Sequence, residues 1–206
     1  MKKKTIIIDY NSGNLLSVKR AVEYLGFDAE ISSDQKKILE ADRLIMPGVG
    51  HFGFAMKKIE YLRSTILNFL EKKRPFMGIC LGMQLLYEKS EEDNFTQKGF
   101  EIFKGKVLKF SSKNLIIPHI GWNSIMLDDE NKKEKIFSNI SENSKFYFVH
   151  SFHCVDEDQN TLNIYSSYKG NKFISSTIKE NIFSFQFHPE KSSSQGLEIY
   201  KNFFSI

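Results

Sequence analysis

Short apolar runs alternate with segments of helical spacing over residues 1–90, and this alternation restricts the fold more than any other feature of the chain. "TIIID" (Thr5–Asp9) is a continuous apolar run closed by an acid, as expected of a parallel strand buried on both faces. Leu15, Val18, Val22 and Leu25 follow at helical spacing, with Gly26 as a stop. "FDAEI" (Phe27–Ile31) is a second strand, Ile38 to Ala41 a short helix, and "RLIMP" (Arg43–Pro47) a third strand. Helical patterning runs from Phe54 to Lys73. "PFMGI" (Pro75–Ile79) is a fourth strand, and "LGMQLLYEKS" (Leu81–Ser90) is the helix after it. Such units build a doubly wound, largely parallel α/β sheet with helices on both faces.

From Phe100 to Phe187 the texture changes to aromatic and β-branched runs, including "NLIIPHIGWNSIML", "KFYFVHSFHCV" and "NIFSFQF", which read as added antiparallel strands. "DDENKKEK" (Asp128–Lys135) reads as a polar surface loop, and Gln195 to Phe204 as a closing helix. With no repeat or low-complexity linker, residues 1–206 are expected to form a single domain. A hydrophobic fraction of 41% supplies its core.

The net charge of +4 is modest, and the Lys2–Lys4 run solvates a strand end, so no nucleic-acid partner is expected. No run approaches the ~18 apolar residues a membrane span needs. Cys80 and Cys154 lie too far apart in sequence for a metal-binding cluster. Without a leader ahead of them they point to free thiols in a reducing cytoplasm.

Cys80 sits in Gly78-Ile79-Cys80-Leu81-Gly82, between an apolar strand and a helical pattern. An isolated cysteine is usually just a small core side chain. Two flanking glycines at a strand–helix junction favour a nucleophile, because the bend and the approach of substrate both need small neighbours. Unpaired amides at the helix start favour thiolate, and the Leu81 N–H would face the oxyanion of an attacked carbonyl. Cys154 has no glycine near it and reads as structural.

A nucleophilic cysteine needs a base, and the base needs orienting. In "FQFHPEK", His188 and Glu190 are two apart in extended chain and project together, giving nucleophile, base and orienting carboxylate. His150 and His153, three apart in an expected strand, would face opposite sides and make a poor metal pair. His119 reads by itself as a structural loop histidine. Trp122, in a polar loop flanked by glycine, is as suited to anchoring an interface as to a core.

"GICLGMQLLYE" and "FQFHPEKS" resemble the nucleophile and histidine motifs of class I, triad-type glutamine amidotransferases. "IDYNSGNLLSVKRA", "PGVGHFG", "PHIGWN" and "YFVHSF" are similar, in order and spacing, to segments of the glutaminase-subunit family of imidazole glycerol phosphate synthases. The resemblance spans the chain and departs from the commoner pattern at Asn11 and at Phe152-His153. It implies a glutaminase that hydrolyses L-glutamine without a cofactor. It also implies a heterodimer in which ammonia passes through a (β/α)8-barrel cyclase making imidazole glycerol phosphate and AICAR for histidine biosynthesis. By residue, it casts Cys80, His188 and Glu190 as the triad, and Gly50, Gln84, Ser151 and Phe152 as substrate contacts. Asn14, His119, Trp122 and Lys191 fall at positions facing the partner. Two alternatives stay open: a paralogue feeding a surface-sugar amidotransferase, and a non-catalytic relative that only binds a partner.

Gly48, Gly50 and Gly53 spell G-x-G-x-x-G, but this loop follows a later strand and lacks a strand-ending acid about twenty residues on, so a dinucleotide is not expected. Its glycines instead let the backbone around Gly48-Val49-Gly50 pass close to Cys80 and turn the Val49 N–H toward the oxyanion, as one half of a switchable hole. Gly48→Val or Gly50→Pro would then slow hydrolysis while sparing the fold.

Overall fold

The computed structural model describes residues 3–111, 115–142 and 144–206; Lys2 of the lysine run and Asn114 of the "NLIIPHIGWN" stretch lie outside them. The first half contains β1 (Thr5–Ile8), α1 (Leu15–Tyr24), β2 (Glu30–Ser32), α2 (Gln35–Glu40) and β3 (Arg43–Gly48). It continues with α3 (Phe52–Ile59), α4 (Arg63–Glu71), β4 (Phe76–Cys80) and α5 (Leu81–Gln84). The second half adds β5 (Lys89–Ser90), β6 (Gly105–Lys109), β7 (His119–Ser124), β8 (Lys145–His150) and β9 (Phe152–Asp156). Last come β10 (Leu162–Tyr168), β11 (Asn171–Lys179), β12 (Ile182–Phe185) and α6 (Ser193–Ser205).

The apolar runs become strands because each has two faces to bury. Ile6 and Ile8 of β1 enter one core with Ile38 of α2, Phe52 of α3 and Phe69 of α4; Ile7 enters the other with Val18 of α1 and Phe203 of α6. Leu44 and Met46 of β3 alternate with Ile45 in the same way. The sheet has seven strands in the order β10-β11-β12-β4-β3-β1-β2. β2, β1, β3, β4 and β12 run parallel, while β11 and β10 add an antiparallel edge, as the sequence pattern predicts. This is a doubly wound, largely parallel α/β sheet with antiparallel strands added at one edge. No helix among the described residues is long and apolar enough to cross a membrane.

The structure departs from the sequence pattern at several elements. The helical stretch from Phe54 to Lys73 is broken by a 3-10 turn at Glu60–Leu62, which no proline or glycine announces. The helix expected over Leu81–Ser90 is the single turn α5. Residues Leu81 to Tyr87 are all buried, leaving no solvent face for an amphipathic helix. Carbonyls of Leu85, Leu86 and Glu88 instead accept from Phe100, Ile102 and Gly99 (2.7, 2.9 and 2.8 Å), which ends the helical ladder. The Asp128–Lys135 loop is partly anchored, with Asn131 buried and its N–H donating to Asp128 Oδ1 (2.7 Å).

β7 and β8 form an antiparallel ribbon, whereas β9 pairs with β6 in a three-stranded sheet with β5. The chain therefore changes sheets at Ser151. This corner overturns the placing of His150 and His153 on opposite sides of one strand: both rings lie against Phe110, at 5.3 and 4.7 Å.

Candidate active site

The carboxyl ends of β3 and β4 open on a cavity of about 300 Å³. It lies beside the switch point between β1 and β3, where open α/β sheets place their ligands. Val49 and Gly50 line it from the loop after β3, and Cys80, Leu81 and Gln84 from the turn after β4. Glu92, Pro118, Val149, His150, Ser151 and Phe152 close the remaining sides. The corner at Ser151 thus carries Ser151 and Phe152 to the cavity wall, beside Cys80 and Gln84.

Cys80 ends β4 with φ 54° and ψ −111°, a conformation that costs a non-glycine residue of order 1–3 kcal/mol and that surrounding packing must hold. The glycines around it show how. A Cβ on Gly82 would stand 1.9 Å from the Met46 carbonyl oxygen, so β3 and the turn touch backbone to backbone. A Cβ on Gly48 would stand 2.5 Å from the Tyr10 hydroxyl and 2.8 Å from the Gly82 nitrogen. Gly48→Val therefore disturbs this packing, contrary to the expectation that it spares the fold. Gly50 differs: no atom lies within 4 Å of its would-be Cβ, but its φ of +107° excludes proline. Ser12 Oγ donates to the Val49 carbonyl (2.7 Å), tying the loop after β1 to this segment. Leu81 opens the single turn α5, so its N–H has no intrahelical acceptor, though one turn of amides replaces the longer helix dipole the sequence implies.

His188 and Glu190 meet by a route different from the extended chain expected. Pro189–Lys191 is a 3-10 turn, and it folds the carboxylate back onto the ring, with Nδ1 and Oε1 2.8 Å apart. Both side chains are almost wholly buried, at 2% and 1% exposure. The His188 N–H donates to the Tyr147 carbonyl (2.9 Å), and its own carbonyl accepts from Ser192 Oγ (2.6 Å), which fixes the segment against β8. Burial opposes protonation of His188 most strongly. The sulfur of Cys80 and the Glu190 carboxylate together outweigh it and push the imidazole up to about 10. Its Nε2 makes no hydrogen bond of ordinary geometry among the described residues, so its link to Cys80 is electrostatic. The arrangement favours imidazolium beside sulfur, with the carboxylate holding the tautomer.

Two groups escape a reading of the sequence. Glu92 brings a carboxylate to the cavity, held by the Phe52 N–H on Oε2 (2.7 Å). Gln186 is wholly buried; its Oε1 accepts from Gln84 Nε2 (2.9 Å) and its Nε2 lies 3.6 Å from Cys80 Sγ. Gln84 Nε2 also donates to the Phe152 carbonyl (3.2 Å). The signal for Gln186 is the lone amide in the apolar run "FSFQF".

His119 does not face outward. Strand alternation in β7 turns it inward at 3% exposure, stacked on Phe148 and Tyr168, while Ile120 and Trp122 point out at 59% and 52%. Trp122 pairs across the ribbon with Tyr147, and exposed Lys191 reaches over the Tyr147 ring (5.8 Å), so these side chains share one surface. Asn14 stands half-buried at the start of α1. Cys154 is buried, and desolvation raises its thiol well above the usual range. Among the described residues no group of His, Cys, Asp and Glu could hold a metal ion.

His150 Nδ1 lies 2.8 Å from the Phe152 carbonyl, which can only accept, so Nδ1 carries the proton and Nε2 accepts from His119 Nδ1 (3.1 Å). Burial holds His150 down at about 3 and His119 at about 4, below the ordinary 6.5. Their contribution to stability is therefore complete above pH 6.5 and lost as the pH falls through those values. The raised His188 contributes below pH 6.5 and loses its contribution as pH rises through about 10. Tm should fall on both sides, and His119→Phe, which keeps the ring stacking, should flatten the acid limb. An unchanged acid limb in that variant would show that these imidazoles do not govern it.

A family profile described as glutamine amidotransferase class-I matches residues 6–206. Over 198 residues the chain is 45% identical to an imidazole glycerol phosphate synthase subunit HisH of Pyrococcus furiosus, covering 96% of each. It is 44% identical over 203 residues to a protein of the same description in Aquifex aeolicus, covering 97% of this chain and 95% of that one. Among solved structures, PurLQS from Thermotoga maritima superposes with a TM-score of 0.72 at 18% identity, over 100% of this chain and 99% of that one. A glutamine amidotransferase from the same organism gives 0.65 at 17%, over 98% and 83%. At such identities the structures bear on the fold alone.

Proposed function

This chain belongs to the class I glutamine amidotransferases, and within them to the HisH subunits of imidazole glycerol phosphate synthase, and on that basis we propose a residue-level account of its reaction. The enzyme is a glutaminase subunit of histidine biosynthesis that works with a cyclase subunit, and the sugar-pathway alternative is not favoured. The observation that carries the mechanism is the buried His188–Glu190 pair (2.8 Å) beside a strained cysteine at a cavity.

Cys80 attacks the side-chain carbonyl carbon of glutamine as thiolate, its proton having passed to His188. The C–S bond forms, and the carbonyl electrons move to an oxyanion held by the Leu81 and Val49 N–H groups at the Gly48–Gly50 loop. One such donor is worth roughly 3 kcal/mol of barrier. His188 returns the proton to the departing nitrogen, so ammonia leaves and a thioester remains. Water, deprotonated by the same imidazole, then cleaves the thioester to glutamate and free thiol. Gly50, Gln84, Ser151 and Phe152 position the substrate. Glu92 offers the charge complement for its ammonium.

Residues 1–206 act as one amidotransferase domain, in the cytoplasm. The partner is a (β/α)8 barrel that takes the ammonia internally. Trp122 and Lys191 present the docking surface, with Asn14 beside the site loops; His119 supports that surface from beneath without touching the partner. Mixing the chain with the cyclase subunit of the same genome should raise the glutamine hydrolysis rate. Stimulation by a sugar amidotransferase and not by the cyclase would overturn the histidine-pathway reading.

A further inference from the structure

We propose that Gln186 is a catalytic residue: its side-chain amide donates to Cys80 Sγ and stabilises the sulfur as thiolate. The proposal rests on the reading of Cys80 as nucleophile. Amide ends are interchangeable in shape, so the direction of donation has to come from the partners. Here one atom decides it. The Phe152 carbonyl can only accept, so the end of Gln84 that faces it, at 3.2 Å, must be the NH2 group. That same Nε2 lies 2.9 Å from Gln186, whose facing end must then be the oxygen. The other end of Gln186, 3.6 Å from Cys80 Sγ, is left as the donor. The His150 proton on the same carbonyl (2.8 Å) and the Ser175 carbonyl bonded to the Gln186 N–H (2.9 Å) hold both ends of this chain in place.

The bond gains strength when it is needed. In the thiol form the sulfur proton points to the Val149 carbonyl at 3.9 Å. Once that proton passes to His188, sulfur keeps the Gln186 N–H as a donor, and donation to an anion is stronger than to a neutral thiol. Gln186 is fully buried and does not line the cavity, so its amide meets the sulfur from the protein side, opposite the face open to substrate. The other titratable groups around the sulfur are His188, Tyr10 and Cys154. Glu92 and His150 face it across the cavity.

The test is iodoacetamide alkylation of Cys80 in the full chain, read by peptide mass, together with steady-state glutaminase kinetics in the complex with its cyclase subunit. In Gln186→Met, which keeps the length and removes the donor, alkylation at pH 7 should slow about tenfold and recover at alkaline pH. kcat should fall by a similar factor, with KM for glutamine within about twofold. Gln186→Glu should lose more, by setting a carboxylate against the sulfur. A folded Gln186→Met with the native alkylation rate at pH 7 overturns the proposal. Should that variant not fold, the native chain labelled with side-chain 15N-glutamine decides. The Gln186 Nε2–H resonance must shift on Cys80 ionisation and stay still in Cys80→Ala; a resonance indifferent to Cys80 overturns the proposal. Hydrolysis retained in Cys80→Ala would instead sink the nucleophile reading, so the two failures are distinct.

Discussion

Cys80→Ala should abolish glutamine hydrolysis, lowering kcat by about 10⁴-fold or more, while Tm moves by only a few degrees. Loss of a nucleophile removes the covalent route entirely, because His188 and the oxyanion donors have nothing left to activate. The structural cost is small: one sulfur leaves a side chain whose hydrogen-bond contacts are the long ones to Val149 and Gln186. Alanine must still adopt the φ of 54°, but no worse than cysteine does. Glutaminase assay of the variant with its cyclase subunit, beside a thermal melt of the chain alone, separates the two effects. Turnover within tenfold of the native rate would reject the assignment. So would a collapsed melt, which would make Cys80 a structural residue.

Gly82→Ala should have the largest effect on stability of any single methyl in the site. Its Cβ would stand 1.9 Å from the Met46 carbonyl oxygen, a backbone atom of a central strand that cannot step aside without moving β3. Overpacking of this kind costs about 3 kcal/mol, which for a chain of this size lowers Tm by roughly 6–12 °C. Activity should fall with it, since any shift of β3 relative to the turn displaces Val49 and Leu81 from the sulfur. Gly50→Ala makes a useful contrast. Its Cβ meets open space, so only the φ of +107° is strained, at a cost of order 1–3 kcal/mol, and with no backbone clash to add to it the melt should fall less than in Gly82→Ala. If Gly82→Ala melts like the native chain, backbone contact at the elbow is not what holds Cys80 in place.

These glycines show how far the sequence reaches. Gly78 and Gly82 around a cysteine at a strand–helix junction are enough to single out an elbow. Spacing alone suggests that they give room to bend and room for substrate. The structure gives another reason: Gly82 lets the turn lie on β3, and a Cβ on Gly78 would press to 3.0 Å on the Gly82 carbonyl. His188 and Glu190 are likewise legible, though the 3-10 turn at Pro189–Lys191 that joins them is not. His119 reads by itself as structural and is buried; it is the resemblance that turns it toward a partner, whereas pairing of its strand with β8 sends alternate residues to opposite faces and puts His119 inside.

The sequence by itself determined the parallel sheet, since strands apolar on both faces leave few other architectures. It made the glycine-flanked elbow and the His188–Glu190 pair legible as well, because each is a short run of neighbouring residues, although the turn that brings the pair together is not written in their spacing. Only the tertiary structure decided which polar groups meet. The Phe152 carbonyl, Gln84, Gln186 and Cys80 come from a sheet corner, a helical turn and two strand ends. Their contacts depend on how those elements pack and in what register. A hydrogen bond closes over about 3 Å, and no spacing along the chain specifies a distance that fine between segments as remote as these.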